Sequence, residues 1–252
     1  MLFNVDLDNT LIYSYKHDIG VYKRCVEVYQ GREVSFITGR TYELLGRLSH
    51  YVMIVPTTTR TIEQYQRINI GSINPDYALV CNGGVLLVNG KEDDEWYNES
   101  MDIVKPCLNE LKKATGILKE DMNRCFELRN IRNLFIFTKS SSPYESMQRL
   151  RAELDMSLVD VLCNGVKVYV VPKVLNKGNG VKRLKEKLKA YKVISSGDSE
   201  FDIPMLNYAD IGVAPLGLGN GHELNGSVKM IDSKNVFSEE MLEYVGGLIL
   251  KR

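Results

Sequence analysis

Apolar and polar residues follow two different periods along the chain. Residues 2–5 form a short apolar run that reads as a strand, as do 52–55, 77–81, 193–196, 211–214 and 228–231. Between them, residues 41–49 carry Leu44, Leu45 and Leu48 at helical spacing. Residues 61–68, 180–190, 200–208 and 238–250 read as further helices, with Val181, Leu184 and Leu188 on one face of the second. Gly246-Gly247 is a weak point in the last. Two alternating stretches, 25–29 and 33–37, flank Gln30-Gly31 and predict a hairpin. Strand–helix alternation of this kind predicts a parallel sheet with crossover helices.

The middle of the chain breaks that rhythm after the Asn82-Gly83-Gly84 turn signal. A hairpin is expected around Asn89-Gly90, from 85–88 to the region of Trp96-Tyr97. A helix follows over 101–114, with Ile103, Val104, Leu108 and Leu111 on one face. Strands are expected over 134–138 and 166–171. Between these strands, Ser142-Pro143 opens a helix with Met147, Leu150 and Leu154 inward, Ser as cap and Pro at its first position. Residues 86–171 thus read as an α+β unit inserted into an α/β core made of 1–85 and 172–252.

Composition narrows the function classes. A chain of 252 residues suffices for one large domain or two modest ones. Equal numbers of acidic and basic residues argue against a protein that coats nucleic acid or an anionic membrane. No apolar run approaches the ~20 residues of a membrane helix. The chain reads straight into a strand without a basic leader, so no signal peptide is expected. Cys25, Cys81, Cys107, Cys125 and Cys163 are odd in number and lack CxxC spacing, as expected of reduced thiols in a cytoplasmic protein.

Four acidic residues carry the candidate chemistry. Asp6 and Asp8 stand two apart at the end of the first strand, so strand alternation puts them on one side. Neighbouring carboxylates repel, and a divalent cation with hard oxygen ligands, Mg²⁺, resolves the conflict. The carboxyl end of a strand is where open α/β sheets bind ligands. Asp198 and Asp202 follow the strand at 193–196 with i,i+4 spacing on the first turn of a helix. Asp198 alone would read as a helix N-cap; together with Asp6 and Asp8 it reads as part of a metal site.

These pieces, Asp6-Leu-Asp-Asn-Thr-Leu11, a Thr-bearing strand end, a Lys before the last strands and Gly197-Asp-Ser-Glu-Phe-Asp202, occur in order across nearly the whole chain. They resemble the haloacid dehalogenase superfamily of phosphohydrolases. The large insert after Asn82-Gly83-Gly84 resembles its Cof-like, sucrose-phosphate-phosphatase-like branch. The resemblance implies a Rossmann-like parallel-sheet core, with 86–171 as a cap that selects substrate, and Mg²⁺-dependent hydrolysis of a phosphomonoester. Asp6 would be the nucleophile, forming an aspartyl-phosphate, and Asp8 the acid and then the base. The metal set would be Asp6, Asp8 through its main-chain carbonyl, Asp198, and Asp202 directly or through water. Phe201 stands where relatives often carry Asn.

Two segments compete for the hydroxyl that holds a phosphoryl oxygen. Phe36-Ile-Thr-Gly-Arg40 matches the family's letters and offers Thr38; Val55-Pro-Thr-Thr-Thr-Arg60 matches by position and offers Thr58. The position after the expected second core strand favours Thr58, with Thr59 where the family often has Gly. Lys177 lies where the family keeps its cation, with Lys173 as runner-up. Asn82, Arg60 and Thr59 are substrate-side candidates, Asn82 equally a turn-former. In the cap, Arg129, Arg132, Asn133 and Lys167 are candidates. Lys182, Arg183, Lys185, Lys187 and Lys189 read as a wet helix face. The glycine-rich 214–222 stretch lacks the Lys-Ser/Thr of a phosphate loop, and His222 reads as a loop residue rather than a base. The expected partner is a small phosphorylated metabolite, a sugar phosphate by analogy, with the chain a monomer or homodimer. A sugar phosphomutase and a catalytically silent sugar-phosphate-binding regulator are the alternatives, and the role of the hairpin at 25–37 stays open.

Overall fold

A computed structural model describes residues 1–221, 223–233 and 236–250; His222 lies outside them. Its strands are β1 (Leu2–Val5), β2 (Tyr13–Ser14), β3 (Lys23–Tyr29), β4 (Arg32–Thr38), β5 (Met53–Pro56), β6 (Tyr77–Val80), β7 (Val85–Val88), β8 (Lys91–Glu92), β9 (Arg129–Ile131), β10 (Phe135–Lys139), β11 (Val159–Asn164), β12 (Lys167–Pro172), β13 (Val193–Ser196), β14 (Ile211–Pro215) and β15 (Val228–Ile231). Its α-helices are α1 (Gly39–Leu48), α2 (Ile62–Tyr65), α3 (Asp94–Val104), α4 (Leu108–Lys119), α5 (Pro143–Glu153), α6 (Lys177–Lys187), α7 (Ile203–Tyr208) and α8 (Phe237–Leu250). Among the described residues, no helix is long and apolar enough to cross a membrane.

The chain divides into two compact units, Met1–Asp93 with Lys177–Arg252, and Asp94–Asn176. The first is built on a parallel sheet of order β15-β14-β13-β1-β5. Alternation along β1 divides its side chains: Phe3 and Val5 join a core with Leu45 and Leu48 of α1 and Met241, Leu242 and Val245 of α8. On the opposite face of β14, Ala214 packs with Leu206 of α7 and Leu218. The expected hairpin is present as β3 and β4, extended by β2 into a three-stranded flap.

Residues 86–93 go with this first unit, because β7 pairs in full with β6 and β8 with β7. Trp96 and Tyr97 are helical rather than part of a hairpin: they sit in α3. The single helix expected over 101–114 is two, α3 and α4, separated by a 3₁₀ turn at Lys105–Cys107. Pro106 lacks the N–H an uninterrupted helix needs there. The second unit then forms an antiparallel sheet of order β11-β12-β10-β9. Ile136, Val161, Val168 and Val170 pack against Leu111, Ala114 and Leu118 of α4 and Leu150 of α5. Pro143 starts α5 as expected, but Ser142 makes no side-chain cap bond. The strands β9 and β11 have no counterpart in the sequence reading; Asp160 and Asn130 interrupt their apolar signal.

Candidate active site

Three neighbouring strands, β5, β1 and β13, deliver the candidate residues at their carboxyl ends. Asp6 follows β1 directly, its N–H bonded to Ser196 O at 2.9 Å. Beyond it the strand geometry is gone: Asn9 turns left-handed (φ 62°), and Leu11 and Ile12 N–H both return to Leu7 O. The sequence reading put Asp6 and Asp8 side by side on one strand; β1 instead ends at Val5, and Asp8 lies in this turn. Asp6 is buried, whereas the Asp8 side chain is half exposed and faces Arg60.

Asp6 belongs with Asp198 and Asp202, whose carboxylate oxygens all lie within 4.8 Å of one another. Among the described residues, the Asp8 carboxylate is not in that group. Lys177, the first residue of α6, is 1% exposed and donates to Asp6 Oδ1 (2.5 Å) and Asp202 Oδ1 (2.6 Å). The other oxygen of Asp202 accepts from the N–H groups of Asp198 (3.1 Å) and Ser199 (2.9 Å) and from Ser199 Oγ (2.7 Å). Asp202 therefore fixes the loop and the lysine at once. Asp198 accepts from Thr10 Oγ1 at 2.9 Å, which ties the first loop to the last. The runner-up, Lys173, pairs with Asp160 in the second unit.

Charge at this site is finely balanced. Burial pushes the Asp6 carboxyl well above the usual range, and the Lys177 ammonium opposes it. Burial, then repulsion from Asp202, pushes Asp198 to about 7 against the Thr10 hydrogen bond. Burial disfavours a charged Lys177, but Asp202 and Asp6 outweigh it and keep the ammonium protonated. Three acidic groups around one cation still leave negative charge to neutralise, and a small hard cation fits that donor set.

The loop depends on close approach at Gly197, where a Cβ would overlap Cβ and Cγ of Asp202. Gly197→Ala is expected to cost about 1–3 kcal/mol of overpacking. At roughly 2–4 °C per kcal/mol for a chain of this size, a thermal melt reads that directly; an unshifted midpoint would refute the close-packed loop.

Thr58 lies two residues past β5, in a segment clamped by backbone bonds. Thr58 N–H donates to Leu79 O (2.8 Å), Asn82 N–H to Thr58 O (3.0 Å) and Cys81 N–H to Arg60 O (2.8 Å). Cys81, Asn82 and Gly83 are all left-handed, so Asn82 shapes the turn that makes this clamp. Thr58 Oγ1 accepts from Arg60 N–H at 3.1 Å. Thr59 beside it is half-buried. Thr38 stands elsewhere: it ends β4 in the flap and caps α1, accepting from Thr41 N–H (3.0 Å) while donating to Thr41 Oγ1 (2.9 Å).

Arg60, expected at the substrate, is committed to carboxylates. Its Nε and Nη2 grip Asp8 at 2.8 and 2.7 Å, and Nη1 reaches Glu27 of β3 at 2.9 Å. Glu27 is buried and also accepts from Ser35 Oγ (2.7 Å) and Arg67 (3.0 Å). Sequence reasoning missed Glu27, Ser35 and the Thr10–Asp198 link. A Glu in an alternating strand reads as solvated, and only its polar partner Ser35 across the hairpin hinted otherwise. In the second unit, Arg129 pairs with Glu127, Arg132 stacks 4.0 Å from the Tyr97 ring, and Asn133 bonds Asn130. Arg132 and Asn133 are the two left-handed residues of the β9–β10 turn, and Lys167 opens β12.

The sequence model of the haloacid dehalogenase-like hydrolases matches residues 3–224. The chain belongs to that family. A phosphoglycolate phosphatase from Methanopyrus kandleri is 26% identical over 137 residues, covering 53% of this chain and 56% of that protein. The matched region thus spans little more than half of the curated relative. The sucrose-phosphatase of Synechocystis sp. PCC6803, solved with sucrose and phosphate, shares the fold at a TM-score of 0.66 and 17% identity, over 98% of this chain and 96% of that one. The trehalose-6-phosphate phosphatase of Aspergillus fumigatus shares it at 0.54 and 13%, over 96% and 92%.

Proposed function

We propose that the chain is a Mg²⁺-dependent phosphomonoester hydrolase working through an aspartyl-phosphate, with a sugar phosphate as substrate. The observation that carries this reading is the buried Asp6 carboxylate, held against Lys177 beside Asp198 and Asp202. An Asp6 oxygen attacks phosphorus and the ester oxygen leaves, taking a proton from Asp8. Water then attacks the phosphorus of the aspartyl-phosphate and gives a proton to Asp8, which frees phosphate and restores Asp6. Asp6, Asp198, the Asp8 main-chain carbonyl and Asp202, directly or through water, would hold Mg²⁺, which when bound would supply positive charge against the phosphoryl oxygens. Asp202 keeps Lys177 and the 198–199 amides in place. Lys177 offsets the charge of nucleophile and phosphate, and the Thr58 hydroxyl donates to a phosphoryl oxygen; such reactions depend chiefly on positioning and electrostatics. The second unit, Asp94–Asn176, acts as the cap that selects the alcohol.

The sugar-phosphate reading rests on the sucrose-phosphatase and trehalose-6-phosphate phosphatase likenesses. Phosphate release from sugar phosphates, phosphoglycolate, a nucleoside monophosphate and an aryl phosphate, with Mg²⁺ or with chelator, tests it. Release that needs the metal and is fastest on a sugar phosphate is expected. Release unaffected by chelator removes the metal, and none from any ester removes the hydrolase.

A further inference from the structure

The flap carries a buried acid with no part in the chemistry above. In β3 the burial pattern is irregular: Val26 and Glu27 are buried in succession, although a regular strand would turn them to opposite faces. The cause is a pair of register shifts, between Cys25 and Glu27 and between Glu27 and Val28. Bulges of this kind re-aim side chains beside functional sites. Here the bulge turns Glu27 inward, where one oxygen meets Ser35 and Arg60 and the other Arg67.

A buried ion network of this kind is a weak source of stability, since apolar residues of similar volume commonly do as well. Its geometric effect is definite. Arg60 is a planar fork whose two sides are both engaged, Glu27 on Nη1 and Asp8 on Nε and Nη2. With Nη1 held, the fork cannot swivel about its stem, so the Asp8 carboxylate is fixed in orientation. The Asp8 side chain is half exposed, and both its oxygens accept from this fork.

We propose that Glu27 is a positioning residue for proton transfer: through Arg60 it holds the Asp8 carboxylate in the direction from which it serves the leaving oxygen. This rests on Asp8 being the acid and base of a phosphatase. The consequence is selective. An ester whose alcohol leaves only when protonated needs a well-aimed Asp8; 4-nitrophenyl phosphate, whose phenolate leaves unaided, does not in its first step.

The test compares wild type, Glu27→Gln, Ser35→Ala and Arg60→Lys on glycerol phosphate and on 4-nitrophenyl phosphate, with Mg²⁺. For Glu27→Gln we expect kcat on glycerol phosphate to fall about tenfold, part of the ~10²–10⁴ that proton transfer supplies. KM should stay within about twofold, and the first-turnover burst of 4-nitrophenol should remain. Arg60→Lys should act alike, having lost the fork. Ser35→Ala keeps the acid and loosens it, so a smaller loss of the same kind is expected even if Glu27→Gln folds poorly. A first-turnover burst of 4-nitrophenol slowed as much as kcat on glycerol phosphate, or a rise in KM alone, would show a merely structural role and overturn the proposal, as would unchanged kcat on glycerol phosphate. Wild type inert on both esters would instead overturn the hydrolase reading itself.

Discussion

Asp6→Asn is expected to lower phosphate release by about 10³-fold or more, as loss of a covalent nucleophile does, while leaving the protein as stable as before or more so. The amide keeps the shape and an acceptor for Lys177 but cannot attack phosphorus. The stability expectation follows from burial: the Asp6 carboxylate is ionised against its surroundings, with its pKa raised despite Lys177. The variant still leaves Lys177 one counter-ion, Asp202, at 2.6 Å. Active sites commonly trade stability for activity in this way. Thermal melts beside phosphate-release assays check both halves; a variant that retained a tenth of the wild-type rate would rule Asp6 out as nucleophile.

Lys177→Met has the opposite profile, with both properties lost together. Asp6 and Asp202 would remain buried without their shared cation, and removal of one partner from a buried ion pair costs about 3–5 kcal/mol. Total stability of a domain is about 5–15 kcal/mol, so the variant is expected to melt far below wild type at neutral pH. The sign of its pH dependence follows from Asp6, whose folded-state pKa is raised by burial. Such a carboxyl contributes stability at low pH and loses it as pH rises past the unfolded-state value. The deficit of Lys177→Met should therefore shrink on acidification. A deficit constant across pH, or no deficit, would contradict the buried-pair arrangement.

The sequence made the strand ends legible because charge punctuates apolar runs there: Asp6 after Leu2–Val5 and Asp198 after Val193–Ser196. That Thr58 rather than Thr38 follows a strand of the parallel sheet was legible from order along the chain, since Thr38 ends a flap strand outside that sheet. Other features depend on what meets what across long separations. Arg60 has the same letters whether it binds substrate or Asp8, and Glu27 becomes an inward residue only through a bulge that no two-residue period foretells. Trp96 and Tyr97 look β-prone locally, yet helix α3 contains them.

The order β13-β1-β5 also fixes a schedule for biosynthesis. β5 completes one side of β1 within about fifty residues, but β13, its other neighbour, begins at Val193. Throughout synthesis of the whole second unit, β1 therefore keeps an open, apolar edge, the kind that recruits foreign strands. Non-local parallel pairing of this type is slow and exposed to aggregation. Among the described strands, β1 thus waits longest for a pairing neighbour, and it is the one a chaperone would have most reason to shield.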